Sequence, residues 1–113
     1  MEINSFENQK AFNDDRINTS LILETPVSKE IRILLKTGQI MKEHKAPYPI
    51  VIHILHGEVQ FGVQGDTHSL IKGDIISLES NVPHDLKALQ DSAVRLTLSK
   101  MDTAERVSKV AGS

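Results

Sequence analysis

Cysteine is absent from this chain of 113 residues, which excludes a disulfide framework and thiolate chemistry. Tryptophan is absent too, and the chain has one tyrosine and three phenylalanines, too few aromatic side chains for a surface that stacks nucleic-acid bases. Lys and Arg number 13 against 15 Asp and Glu, and they form no basic stripe. We therefore expect no nucleic-acid partner.

Long apolar runs are also missing. The longest near-apolar stretch, residues 49–55, is interrupted by His53 and is too short to span a bilayer. The first ten residues are polar and lack the apolar core of a signal peptide. These features predict a soluble, cytoplasmic protein with no membrane partner.

Short runs with strand character follow one another from residue 17, separated by turns that contain glycine. They cover residues 30–36, 50–55, 58–63, 69–71, 75–78 and 93–98, and a turn is expected at Gly65-Asp66. Many short strands with turns at regular spacing predict a single all-β barrel or sandwich domain over residues 17–113. Residues 1–16 lack such a period and are predicted to form an N-terminal arm. The stretch of about 102–110 is predicted to be a helix, with Asp102 or Thr103 as its cap.

Two segments carry a more specific pattern. In the first, Gly38 is followed by His44 and then by Gly57. This spacing resembles the first cupin motif, in which a Gly precedes a His-x-His pair, an acidic residue and a second Gly.

The second segment begins at Gly73 and continues to Asn81, Pro83 and His84. It resembles the second cupin motif, which contributes a third histidine. The resemblance covers about residues 30–100 and points to the RmlC-like cupin superfamily. It implies an all-β double-stranded β-helix, a jelly-roll-like barrel, with a short C-terminal helix. It also implies that inward-facing histidines and an acid converge inside the barrel, where family members usually bind a divalent transition metal.

The sequence departs from this family pattern at two ligand positions. Ala46 stands at the place of the second histidine, and Ile50 at that of the acid. Only His44 and His84 remain as candidate metal ligands. Catalytic zinc and non-haem iron normally use three protein ligands, so we expect zinc, nickel, iron or manganese to bind weakly or not at all.

Two acidic residues near the motifs offer possible replacement carboxylates. Glu43 precedes His44 and should face the opposite side of its strand, whereas Glu79 lies in the turn before His84. Both are interpreted as surface residues, as are Lys42 and Lys45. A metal-free cavity and a metal held by two histidines with water or a ligand both stay open.

The expected ligand pocket combines two polar anchors with an apolar wall, as ligand sites commonly do. Its residues are His44, Ala46, Ile50, Ile52 and His84. The leading hypothesis is a cupin barrel that binds a small organic molecule in its interior, with little or no catalysis. The alternative is a metal-dependent cupin enzyme, of dioxygenase or isomerase type, that uses His44 and His84. A ligand-sensing domain is a third possibility.

The strand from residue 50 should also present an outward face. With Ile50 and Ile52 inside, alternation turns Val51, His53 and Leu55 outward. This face is apolar for a surface strand, so we expect a homodimer. His56 and His68 are interpreted as surface histidines.

Overall fold

The computed structural model describes residues 1–112, so Ser113, the last residue of the expected domain, lies outside the described residues. The chain forms nine strands and one helix. They are β1 (Asn18–Glu24), β2 (Ser28–Leu35), β3 (Ile40–His44), β4 (Ile50–His56), β5 (Glu58–Val63), β6 (Asp66–Ile71), β7 (Ile75–Leu78), β8 (His84–Ala88), β9 (Ser92–Ser99) and α1 (Ala104–Gly112).

The strands form two antiparallel sheets that face each other across one core. The larger sheet has the order β1-β2-β9-β4-β7 and the smaller has the order β3-β8-β5-β6. Strands β5 and β6 form a hairpin within the smaller sheet, and from β6 to β9 successive strands alternate between the sheets. The two cupin-like motifs are brought together by pairing of β3 with β8. The predicted all-β double-stranded β-helix with a short C-terminal helix is confirmed.

Alternation along β4 shows how the sequence fills the core. Ile50, Ile52 and Ile54 are buried, whereas the residues between them are half-buried on the outer face, as the period of two in a strand requires. Strand β2 differs because its outer face is covered as well. The N-terminal arm crosses that face, and buried Arg32 donates hydrogen bonds to the carbonyl oxygens of Phe6 and Asn8 at 2.8 and 2.7 Å.

The turns between strands explain one motif position and correct one expectation. Gly57 has φ 87°, and a Cβ there would lie 2.6 Å from the carbonyl oxygen of Asp91, so only glycine fits without displacement. The β5–β6 turn lies at Gln64-Gly65, one residue before the predicted Gly65-Asp66, because Val63 pairs with Asp66. Both turn residues have positive φ, which matches the twist of a two-residue hairpin.

Helix α1 closes one end of the barrel. Thr103 caps it, because its Oγ1 accepts a hydrogen bond from the Arg106 backbone N–H at 3.2 Å. Val107 and Ala111 are buried in the core, and the helix packs on β1 and β3. Within residues 1–112, no helix has the length and apolar character that crossing a membrane would require.

Candidate functional site

The two motif histidines face each other at the end of the smaller sheet. His44 ends β3 and His84 begins β8, and they are direct partners in the register of the two strands. Their ring centroids are 4.3 Å apart with an interplanar angle of 60°. On its other side the His84 ring stacks on Phe61 at 5.7 Å. The structure thus brings the two histidines together, as the sequence predicted, and packs one of them against a core aromatic ring.

Each imidazole is oriented by its own backbone. His44 Nδ1 lies 2.8 Å from the carbonyl oxygen of Lys42, and His84 Nδ1 lies 2.9 Å from that of Val82. A carbonyl oxygen can only accept, so Nδ1 carries the proton in both rings. In the neutral state, Nε2 is then the hydrogen-bond acceptor of each ring. The strands therefore present two like acceptors side by side.

The surroundings keep both rings neutral. Burial lowers the pKa of His44 and of His84, since it penalises the charged form. The positive charge of Arg106 lowers both values further, and a charge on His44 would lower that of His84. The backbone hydrogen bonds and the charge of Asp85 raise both pKa values but do not reverse the lowering. The pair is thus uncharged at neutral pH.

A cavity inside the barrel is lined by all five residues of the expected pocket, which are His44, Ala46, Ile50, Ile52 and His84. Aliphatic side chains from both sheets complete its wall, including Ile33, Met41, Leu86, Val94 and Leu96. The cavity volume is about 20 Å³, and one water needs ~10–15 Å³ on the same scale. The closed barrel therefore has room for about one water molecule beside the histidines.

One wall of this cavity comes from α1, a helix that lies outside both sequence motifs and was not expected at the site. Arg106, Val107 and Val110 line it. Arg106 makes a bidentate ion pair with the buried Asp102 carboxylate, with Nε–Oδ1 and Nη2–Oδ2 distances of 2.8 Å each. A signal was present in the sequence, since Arg106 shares a helical face with Val107 and Val110 at the spacing of an amphipathic helix.

The remaining candidates lie elsewhere. Glu43 and Glu79 are exposed and do not line the cavity, and Lys42 and Lys45 are exposed as well. His56 and His68 are exposed, as expected for surface histidines. His53 is half-buried on the outer face of β4.

A transition metal requires more donor atoms than this cavity offers. Only the Nε2 atoms of His44 and His84 are suitable ligands in the cavity, and the two other family positions hold the apolar side chains of Ala46 and Ile50. Across residues 1–112, no three His, Cys, Asp or Glu side chains are grouped so that they could hold a metal ion. These residues do not fit the three- or four-ligand centre that the resemblance implies.

Comparison with known proteins agrees with the architecture. The family model described as "Cupin domain" matches residues 31–100. An RmlC-like cupin protein from Desulfovibrio desulfuricans superposes with a TM-score of 0.78 at 24% identity, covering 88% of this chain and 96% of its own. An RmlC-like cupin from Shewanella frigidimarina has a TM-score of 0.77 at 19% identity, with coverage of 95% and 96%.

KdgF from Halomonas sp. resembles this chain in fold as closely as these two cupins do. Its TM-score is 0.77 at 16% identity, and the alignment covers 94% of this chain and 98% of that protein. No curated protein matches the sequence. At these identities the solved structures support the fold and carry no information about the ligand.

Proposed function

Because this chain belongs to the cupin domain family, we propose that it binds a small organic molecule inside its barrel, with little or no catalysis. The observation that carries the proposal is the pair of neutral imidazoles, His44 and His84, whose ring centroids lie 4.3 Å apart in a cavity with a mostly apolar lining. In such a cavity the apolar lining contributes affinity and the oriented polar groups fix the orientation of the ligand. The two Nε2 acceptors select a ligand that offers hydrogen-bond donors, such as a hydroxyl group.

The replaced ligand positions favour binding over metal-dependent catalysis. Ala46 and Ile50 add apolar surface at the places where a family enzyme has metal ligands. Apolar burial stabilises a complex by roughly 25 cal/mol per Å², so these replacements favour the aliphatic body of an organic ligand. The alternative of a dioxygenase or isomerase would need a metal centre, and two imidazoles alone form a weak one.

Ligand binding can be tested with histidine side-chain NMR. The protein is screened against short aliphatic alcohols, acids and amides, while the Nε2 resonances of His44 and His84 and the melting temperature are followed. We expect some members to move both resonances and raise the melting temperature. Ala46→Leu, which fills the cavity, should abolish these effects.

Ala11→Leu is the matched control because it makes the same substitution at an exposed position of the arm and should leave binding unchanged. Binding that survives Ala46→Leu would contradict an interior site, and so would the failure of every class of compound to perturb the two histidines.

We also propose a homodimer through the outer face of β4. Val51, His53 and Leu55 are half-buried on this face. The neighbouring strand β7 extends it with Ile75, which pairs with His53 and is 63% exposed. An apolar side chain exposed beside this strand supports a contact with a second copy.

A further inference from the structure

Arg106 is the one permanently charged side chain among the described residues that line the cavity. It comes from α1, whereas both histidines come from the smaller sheet. Its side chain is 23% exposed, so it is reached both from the cavity and from solvent. A guanidinium group beside two neutral acceptors gives this end of the cavity a group that can pair with an anion once its present partner is displaced.

The current partner of Arg106 is a carboxylate of the chain itself. Asp102 precedes α1, and its side chain is only 2% exposed. Burial works against its charge, but hydrogen bonds from Arg106 and from the Thr103 backbone N–H lower the pKa of the carboxyl group. Asp102 is therefore an ionised, buried carboxylate that occupies the Nε/Nη2 edge, the edge that recognises carboxylates in pairs of hydrogen bonds.

The same ion pair joins the first turn of α1 to Asp102, two residues before the helix begins. Arg106, Val107 and Val110 form a wall of the chamber, and a volume of about 20 Å³ admits little more than one water. Any organic ligand must therefore displace part of this wall. Helix α1 is the one wall without sheet hydrogen bonds, since it is a single element of nine residues, whereas the other walls of the chamber are hydrogen-bonded sheets.

We propose that the ligand is a small aliphatic hydroxy acid whose carboxylate replaces Asp102 on Arg106. This inference rests on the proposed function. The exchange preserves the bidentate pairing of the guanidinium while Asp102 becomes hydrated as α1 moves outward. The ligand hydroxyl group donates to Nε2 of His44 or His84, and the short aliphatic body lies against Ala46, Ile50 and Ile52. Binding of the anion and opening of the helix are then one event.

The experiment uses three related probes, 2-hydroxy-3-methylbutanoate, its amide, and 3-methylbutanoate, with calorimetry and histidine NMR on the full chain. The hydroxy acid should bind more tightly than its amide by about 10-fold or more, since a hydrogen bond to a charged group is stronger than one between neutral groups. The acid without the hydroxyl group should bind more weakly and shift the Nε2 resonances less.

Two variants are expected to change the affinity for the hydroxy acid in opposite directions. Arg106→Gln removes the anion partner and should weaken hydroxy-acid binding by about 10-fold or more while leaving amide binding nearly unchanged. Asp102→Asn removes the competing carboxylate and should tighten hydroxy-acid binding. Lys109→Gln is the matched control, because it removes a positive charge from an exposed position of the same helix and should have little effect.

The outcomes separate this inference from the proposed function. Equal binding of the acid and the amide to the natural protein would overturn the role of Arg106 and leave the interior ligand site standing. Binding of none of the probes, together with no response of the histidines to any compound class, would overturn both. If Arg106→Gln does not fold, Asp102→Asn still decides, because weaker hydroxy-acid binding in that variant would contradict the exchange.

Discussion

Acidification should destabilise this protein in the pH range where histidine titrates. Burial lowers the pKa of His44 and His84 below the ordinary value of 6.5, so the unfolded chain binds protons that the folded chain does not. The stability contributed by keeping both rings neutral is complete above pH 6.5 and is lost as the pH falls through the folded pKa values.

The size of the effect follows from the geometry of the pair. One histidine that is protonated only in the unfolded state changes the free energy of unfolding by at most about 1.4 kcal/mol per pH unit. Two positive charges about 4 Å apart repel each other by about 4 kcal/mol at an effective dielectric constant of about 20. With ring centroids 4.3 Å apart, the folded protein resists a second proton. The slope should therefore increase as the pH falls below neutrality and stay below about 2.7 kcal/mol per pH unit, the limit for two histidines.

Urea unfolding at a series of pH values from about 8 to about 5 measures this slope directly. His44→Asn and His84→Asn each remove one titrating ring, and an asparagine amide can still donate to a backbone carbonyl. Each variant should lower the slope, and the double variant should nearly abolish it. His68→Asn is the matched control because His68 is exposed in the folded protein.

Other titrating groups do not obscure the result. Burial opposes ionisation of Glu30 and Asp102, but their hydrogen bonds outweigh it and lower both pKa values from ordinary values of 4.5 and 3.8. Their contribution is lost only at lower pH. A natural protein whose stability is independent of pH in the histidine range would refute the neutral-pair interpretation. An unchanged slope in the double histidine variant would do the same.

Three further predictions concern the metal positions, a turn and the assembly. The double variant Ala46→His with Ile50→Glu should be less stable than the natural protein without metal, because it buries an unpaired carboxylate. Its melting temperature should rise when nickel or zinc is added. Nanomolar metal binding by the natural protein, measured by calorimetry, would contradict the incomplete metal site. Gly57→Ala should cost about 1–3 kcal/mol in urea unfolding, since its Cβ would lie 2.6 Å from the Asp91 carbonyl oxygen, and a neutral effect would show that the turn relaxes. Ile75→Lys should convert the expected dimer to a monomer in light scattering, and a monomeric natural protein would exclude this interface.

Strands with regular alternation were predictable from the sequence, and three others, β1, β3 and β8, were not named. In β3, the register shifts between Met41 and His44, so the period of two is interrupted within five residues. In β8, His84, Leu86 and Ala88 are buried in alternation, but histidine and alanine carry little strand preference. Both strands were implied only by the motif spacing, which reflects their pairing across the barrel.

The site was predictable in part for a similar reason. The five cavity residues lie in the motif segments, where spacing determines which side chains face inward. Arg106 lies 22 positions after His84 in the chain and reaches the cavity because α1 packs back on β1 and β3. No local sequence pattern predicts which part of the barrel this helix packs against. Its amphipathic face indicates that it packs somewhere, and tertiary contacts determine the place.

A metal site usually combines imidazoles of fixed orientation with a negatively charged ligand, whereas the site around His44 and His84 has only the oriented imidazoles. Backbone carbonyls hold Nδ1 of each ring, which is how a metal-binding imidazole is commonly oriented, so the two acceptors stay aligned without an ion. What the family pattern lacks here is negative charge, because Ile50 stands at the acid position. A cavity without that acid and with Arg106 in its wall no longer favours a cation. The loss of the metal ligand and the presence of the guanidinium group therefore act in the same direction, and both support the proposed exchange of Asp102 for the carboxylate of a ligand.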